Sequence, residues 1–406
     1  MYEKQMLKGF ITKIILICLL TLILFPFPIA EVFKYKFMGA YVALIFSFFL
    51  LPAVFFLNKS YWGNKFTIGL WFLRILALLI FLIVTPREGL TQMDLIPFIG
   101  AFIMTFFYEV GYFITTIGYF EKFLKYWMWL NVFICVYVFI IVVPIFLRQG
   151  YIGVINSMDV IRNYYPSWPN HFGIYLVLLF WVIMYFRSHN KNYALLFILI
   201  FSMLFLTSSR TAFLALAVSI VFALYINRKK RSVVSVLSVL GLLTFSGYVI
   251  FTLKSMGGFG SSLEHTIAER QFRWVETFYL WKQHPFTGYG FRSFTEIVPY
   301  YFYEGKTLIA TGSSHNDYID LLLRGGLFYS IGFWTFILLT VWQSVKSINQ
   351  KSELLKHLSY CTIVLLISAF FQNPFKNPII LAYFWSYIAF VAIHTNTNIL
   401  KLKKPQ

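Results

Sequence analysis

The sequence contains few charged residues, few acidic residues and little cysteine. Asp, Glu, Lys and Arg make up 12% of its 406 residues, about half of their usual share in soluble globular proteins. This scarcity excludes an ordinary soluble enzyme or a soluble binding domain. The three cysteines, Cys18, Cys135 and Cys361, all lie in apolar runs, and this pattern predicts neither a disulfide framework nor a metal site. We therefore expect no metal ion and no cofactor.

Apolar residues dominate what is present. Hydrophobic residues account for 59% of the chain and aromatic residues for 21%. Repeated apolar runs of about twenty residues are typical of transmembrane helices. The sequence thus predicts an all-α fold, a polytopic membrane bundle of about twelve helices. The predicted spans are 10–28, 39–57, 67–85, 95–118, 127–147, 171–186, 193–207, 211–227, 233–252, 316–342, 357–372 and 379–395.

The basic residues indicate how the bundle is oriented. The net charge is +19, and more than half of the 34 lysines and arginines lie in alternate connections between the predicted spans. Such clusters mark the cytoplasmic side of a membrane protein, so topology explains them better than nucleic-acid binding does. Both termini are then cytoplasmic, and one long loop, 253–315, faces outward and is expected to contain short amphipathic helices. We divide the chain into N-terminal transmembrane helices (1–150), a candidate catalytic region (151–345), and C-terminal helices with a cytoplasmic tail (346–406).

Arg210 lies in a short polar turn, Ser208-Ser209-Arg210, between two short apolar runs. Both neighbouring helices must end there, so we expect this arginine at membrane depth near the outer surface. A charge at that depth needs a partner. Arg210 is therefore either a structural residue paired with an acidic side chain or an anion clamp at the start of a helix.

A helix carrying two arginines is predicted inside the long loop, over 264–283, where no Gly or Pro occurs. Arg270 and Arg273 are three residues apart and share one helix face. Four apolar residues recur at helical spacing, namely Ile267, Trp274, Phe278 and Trp281. We expect the helix to rest on the membrane with these side chains down. Its arginines are either solvated cations or, for Arg273 above all, ligands of a phosphate.

His315 lies where the long loop returns to the membrane. Histidine titrates near neutral pH and can act as a general base; the alternative is a histidine that merely belongs to the helix cap. Ser313 or Ser314 can cap the following helix. Upstream, Gly288 and Gly290 predict a tight turn with close backbone approach.

The smaller outer loop ends in a segment, 162–173, that is rich in aromatic residues and proline. Arg162 and Asn170 are candidates for substrate binding there, because aromatic rings stack on the C–H faces of sugars and an asparagine amide hydrogen-bonds sugar hydroxyls. An ordinary interfacial aromatic belt is the alternative interpretation.

Taken in order, these motifs resemble the O-antigen ligase and O-antigen polymerase superfamily of bacterial envelope glycosyltransferases. The resemblance covers about residues 165–330 and includes a long outer loop between two late spans. The motifs that carry it are Pro169-Asn170-His171-Phe172-Gly173-Ile174-Tyr175-Leu176, Ser209-Arg210, Arg273-Trp274, His284-Pro285-Phe286-Thr287-Gly288-Tyr289-Gly290, His315-Asn316-Asp317-Tyr318-Ile319 and Gly325-Gly326.

The resemblance implies transfer of an undecaprenyl-diphosphate-linked glycan to an acceptor hydroxyl on the outer face of the bacterial inner membrane. It implies catalytic roles for Arg210, Arg273 and His315, and we add Arg270, Arg292 and Asn316 as candidate substrate-binding residues. Expected partners are the lipid-linked donor, a glycan or lipid A-core acceptor, membrane lipid and other envelope polysaccharide assembly proteins. Polymerase and ligase remain nearly balanced, and the run at 315–322 favours a polymerase slightly.

A transporter or flippase for a lipid-linked or anionic solute is the alternative function. It would also account for arginines at membrane depth, and it draws attention to Arg74 and Glu109 within predicted spans. The two halves of the chain lack the paired helix breaks that are typical of repeat-built transporters.

Overall fold

The computed structural model of the chain describes residues 61–84, 102, 105–116, 118–156, 169–207, 209–226, 260–290, 297–298, 300–303, 306–309, 314–347, 353–372, 374–376 and 378–395. The predicted spans 10–28, 39–57 and 233–252 lie outside these residues, as do Arg162 and Arg292.

Helices account for nearly all of the regular structure, which confirms the all-α prediction. In chain order they are α1 (Lys65–Val84), α2 (Phe107–Thr116), α3 (Phe120–Asn156), α4 (Pro169–His189), α5 (Leu196–Thr207), α6 (Arg210–Ile226), α7 (Gly260–Trp281), α8 (Asp317–Ser347), α9 (Glu353–Phe371) and α10 (Pro378–Thr395). Short 3₁₀ turns, Lys191–Leu195 and Pro374–Lys376, precede α5 and α10.

Five segments of the described chain are long and apolar enough to cross a membrane: Lys65–Val84, Phe120–Ile145, Asn170–His189, Asp317–Gln343 and Glu353–Phe371. All five coincide with predicted spans, and α5, α6 and much of α10 are shorter apolar helices. The chain is thus an integral membrane protein. Within the predicted span 95–118 the structure describes residues 102, 105–116 and 118, and helix α2 lies among them.

Helix α4 lies at the centre of the bundle. Of its most apolar window, 78% is buried, against 39% for the windows of α1, α3 and α8. A helix that is hydrophobic all round is expected to be surrounded by other helices, and α4 packs on α5, α6 and α9. The outward faces of α1, α3 and α8 expose large apolar side chains, as lipid-facing helices do; Phe72, Phe133 and Leu338 are examples.

The long loop contains one element that the sequence does not predict. Strands β1 (Tyr300–Tyr303) and β2 (Lys306–Ile309) form an antiparallel hairpin with Tyr300 opposite Ile309. The expected amphipathic helix is present as α7, which begins four residues earlier than predicted.

Candidate active site

The carboxyl end of α9 is where the candidate residues meet. Helix α4 runs antiparallel to α9. The Trp181 ring of α4 packs on the Tyr360 ring of α9 with centroids 4.4 Å apart. The next residue of α9, Cys361, contacts the carbonyl of Leu178, which precedes Trp181 in α4. The start of α4 therefore lies beside the last turn of α9.

Helix α6 runs parallel to α4 and reaches the same turn. Near the start of both helices Gly173 lies against Ser209, and further along both the Trp181 indole donates to the Ser219 hydroxyl at 2.9 Å. Because α4 is antiparallel to α9, α6 is also antiparallel to α9. The start of α6 therefore lies beside the end of α9.

The start of α8 reaches this place too. The Tyr318 hydroxyl donates to the Leu366 carbonyl at 2.9 Å, and the Tyr318 ring contacts Phe370. The Asp317 carboxylate accepts a hydrogen bond from the backbone N–H of Phe375 at 3.0 Å. Three helix starts and one helix end thus form one end of the bundle, which we call the site end.

Arg210 is the first residue of α6 and is half-buried at the site end. The preceding turn is fixed by Ser209, whose hydroxyl accepts from the Ala212 N–H at 3.4 Å and donates to the Asn170 carbonyl at 3.5 Å. Close packing depends on Gly173, since a Cβ there would lie 2.7 Å from the Ser209 Cβ. The resembling segments around Asn170 and Arg210 are therefore in direct contact, and the Asn170 side chain itself is exposed.

Helix α7 presents its arginines to the protein. Arg273 is 5% exposed and Thr277 is fully buried on the same face. One turn earlier, Arg270 donates from Nη1 to the Phe371 carbonyl at 3.2 Å, which ties α7 to the carboxyl end of α9. Both arginines thus belong to the site end.

The prediction of which face of α7 points into the membrane is only partly correct. Trp274 and Trp281 are half-buried and donate to backbone carbonyls, whereas Phe278 is exposed. Among the described side chains of the helix, which exclude Ile267, the exposed apolar ones are Phe272, Val275, Phe278 and Tyr279. The difference arises because an indole N–H needs an acceptor when it is buried, and the protein supplies one on the inner face.

His315 has a left-handed backbone with φ of 58°, alone among the described residues other than glycine. Asn316 caps α8: its side-chain oxygen accepts from the N–H groups of Tyr318 and Ile319 at 3.0 and 3.2 Å. The expectation that Ser314 caps this helix is therefore wrong, because Ser314 instead exchanges hydrogen bonds with Asn316. Ser313, the other predicted cap, lies outside the described residues. The structure thus gives Asn316 a capping role, and its role in substrate binding stays a prediction.

The segment 284–290 braces α8 from outside. Gly288 and Gly290 have positive φ, as the predicted tight turn requires. The N–H of Tyr289 donates to Leu323, and the N–H groups of Leu327 and Phe328 donate to Pro285 and Phe286. These bonds span the break in α8 at Gly326, where the backbone leaves helical geometry.

Arg74 and Glu109, the two membrane charges that prompted the transporter alternative, satisfy each other. Their bidentate ion pair has N–O distances of 2.7 and 2.8 Å, and Arg74 Nε donates to Thr105. Tyr61 donates to the same carboxylate. Both charged side chains are almost fully buried, so they form a structural network rather than a solute pathway.

Comparison with known proteins places the candidate residues in a family context. The model of the O-antigen ligase family matches residues 195–334. The resemblance to the O-antigen ligase and O-antigen polymerase superfamily is confirmed. No curated protein matches the chain.

The O-antigen ligase match covers about a third of the chain and includes Arg210, Arg270, Arg273 and His315. Asn170 and Arg162 precede it. Among the described residues, no group of three His, Cys, Asp or Glu side chains that could hold a metal ion occurs.

Sequence reasoning missed two contributors to the site end. Trp274 was assigned to the membrane face, and Gly173 was not singled out within its motif. The only available signal for Trp274 was its place directly after Arg273, and for Gly173 its place at the start of an apolar helix.

Proposed function

We propose that this protein is a membrane glycosyltransferase of cell-surface polysaccharide assembly. It transfers a glycan linked to undecaprenyl diphosphate to an acceptor hydroxyl, as an O-antigen polymerase or an O-antigen ligase. The observation that carries the proposal is the O-antigen ligase match over the segment whose arginine helix and histidine loop meet at the site end.

The chemistry suits these side chains. The acceptor oxygen attacks the anomeric carbon, the bond from that carbon to the diphosphate breaks, and the configuration inverts. Arg210 and Arg273 stabilise the negative charge on the departing diphosphate, because guanidinium groups form strong charge-assisted bonds to phosphate. His315 accepts the proton of the acceptor hydroxyl, with Arg270 and Arg292 as further phosphate ligands.

The site end is proposed to face away from the cytoplasm, in the bacterial inner membrane. Exposed basic residues at the opposite end of the bundle support this orientation: Lys122 and Lys125 near the start of α3, Arg187 in the last turn of α4, and Lys191 just after that helix. Such residues mark the cytoplasmic side. A lipid-linked donor flipped to the outer leaflet would then reach the site end, to which Arg273 belongs.

Between the two activities, we favour the polymerase slightly, on the run at 315–322. Surface polysaccharide from a deletion strain separates them. A polymerase deletion leaves a single repeat on the acceptor. A ligase deletion leaves the acceptor bare while lipid-linked polymer accumulates.

The roles of individual residues are tested in proteoliposomes that contain lipid-linked glycan. We expect Arg210→Ala, Arg273→Ala and His315→Ala each to lower glycan transfer at least about 100-fold, as loss of preorganised transition-state donors or of a general base does. Matched controls are Arg187→Ala and His189→Ala, which change exposed residues at the opposite end and should leave transfer normal.

Normal glycan transfer by all three site variants, at normal protein levels, would contradict the proposal. Solute flux into the vesicles without any glycan transfer would instead favour the transporter.

A further inference from the structure

The backbone around His315 is held from three directions. On its amino-terminal side Ser314 is fully buried, and the Ser314 N–H donates to Asp320 Oδ1 at 3.2 Å. On its carboxyl-terminal side, Asn316 caps α8 and Asp317 accepts from Phe375. A non-glycine residue keeps a left-handed backbone only where its surroundings impose it, and these contacts supply that constraint.

The third direction is the arginine helix itself. Trp274, the residue after Arg273, donates from its indole Nε1 to the Ser314 carbonyl at 2.8 Å. This bond joins residues forty positions apart in sequence. It connects the helix that carries the arginines directly to the peptide that carries the histidine.

Hydrogen bonds to two different parts of the chain anchor helix α7 at this end. Arg270 reaches the Phe371 carbonyl on α9, whereas Trp274 reaches the histidine loop. The first contact sets where the helix lies on the bundle. The second sets where His315 lies relative to Arg273.

We propose that Trp274 is a positioning residue that fixes His315 against the diphosphate-binding arginines through the Ser314 carbonyl. The inference rests on the proposed function, in which His315 is the base and Arg273 holds the leaving group. A base and a leaving group on separate elements must be registered closely, since a displacement of about 1 Å can lower a rate about 100-fold.

The test is Trp274→Phe in the full-length protein in proteoliposomes, because phenylalanine removes the N–H and keeps an aromatic ring. We expect kcat to fall about 10- to 100-fold, with KM for the lipid-linked donor and the thermal unfolding midpoint near those of the unaltered protein. The matched control is Trp281→Phe. That indole lies on the same helix and donates to the Pro285 carbonyl at 3.1 Å. The same carbonyl also accepts from the Leu327 N–H, so the brace on α8 should persist in this variant and kcat should be unchanged.

A second measurement separates positioning from general support of the fold. In a His315→Ala background, Trp274→Phe should cause little further loss of residual transfer, because effects of residues that act as one unit are not additive. An undiminished further loss would overturn the proposal. So would wild-type kcat in Trp274→Phe, equal losses in both tryptophan variants, or a loss confined to KM.

The two proposals fail in different ways. If His315→Ala retains full transfer, the assigned base is wrong and the proposed mechanism fails with it. If His315→Ala is inactive and Trp274→Phe is normal, only the positioning role fails.

Discussion

At the residue scale, Gly326 is a position where the addition of a single methyl group should disturb the site end. Its backbone has φ of 62° and ψ of −170°, a region that side chains disfavour. A Cβ there would lie 2.3 Å from the carbonyl carbon and oxygen of Phe286. The segment 284–290 can brace α8 only because this Cβ is absent.

We expect Gly326→Ala to destabilise the protein by about 1–3 kcal/mol from backbone strain alone, and further through displacement of the brace. Because the displaced half of α8 carries the His315 loop, glycan transfer should fall as well. The measurements are thermal unfolding in detergent and transfer in proteoliposomes.

Gly118→Ala is the matched control for this change. Gly118 has φ of 76°, but a Cβ added there would meet nothing within 4 Å, so alanine adds strain without a collision. Equal losses of stability in the two variants would show that the contact with Phe286 contributes nothing.

Sequence reasoning reached this turn only in part. Two glycines two residues apart predicted the tight turn at 288–290 correctly, because positive φ is a local property. Their partner, Gly326, lies some forty residues away, and which peptides approach one another depends on tertiary packing. The same limit explains why the cap of α8 was assigned to serine: serine and asparagine have similar cap preferences, and only the folded loop decides between them.

At the element scale, helix positions were predictable where the chain is apolar. A desolvated backbone must satisfy its own hydrogen bonds, so long apolar runs become helices almost regardless of context. The loop elements obey no such rule. The hairpin of β1 and β2 was missed, and α7 was predicted as a helix but with part of its buried face turned outward.

The exposed face of α7 leads to an element-scale prediction. Phe272, Val275, Phe278 and Tyr279 are exposed, and Phe286 just beyond the helix stacks on Phe328 with ring centroids 5.5 Å apart. Phe328 belongs to the exposed apolar face of α8, a candidate membrane span. We expect these aromatic surfaces to form one continuous lipid-facing patch, with α7 lying in the membrane interface.

An environment-sensitive fluorophore on Val275→Cys, in a background without the native cysteines, tests this arrangement in liposomes. Nitroxide-labelled lipid should quench it strongly, because Val275 is 68% exposed on the patch. The comparison position is Gln283→Cys, exposed in the polar turn after α7. Equal quenching at both positions would contradict an interfacial α7.

At the scale of the whole molecule, two sets of described charged groups have different roles. The cations of the site end gather around the end of α9, on a segment that matches a glycosyltransferase family. The pair of Arg74 and Glu109 lies between α1 and α2. Arg74 also donates hydrogen bonds to the hydroxyl and carbonyl of Thr105, and Tyr61 donates to the Glu109 carboxylate. The guanidinium also stacks on Phe106, 4.1 Å from the ring centroid. The second set should therefore govern stability, and the first set catalysis.

This division predicts the outcome of breaking and then removing the buried pair. Arg74→Met leaves a buried carboxylate without its cation and should cost about 3–5 kcal/mol of stability. The double variant Arg74→Met, Glu109→Leu should recover most of that loss, because apolar replacement of a whole buried pair is often close to neutral. Thermal unfolding in detergent measures both.

Lys356→Met provides the comparison for an exposed pair. Lys356 Nζ lies 3.3 Å from the carboxylate of Glu353, whose side chain is 51% exposed, so loss of this ion pair should cost no more than about 1 kcal/mol of stability.

Glycan transfer by the double variant Arg74→Met, Glu109→Leu is the deciding measurement. Transfer should be normal once the fold is restored, because neither charge is needed at the site end. A double variant that unfolds at the same temperature as the unaltered protein but transfers no glycan would show that the pair takes part in the reaction. That result would contradict the division into structural and catalytic charges.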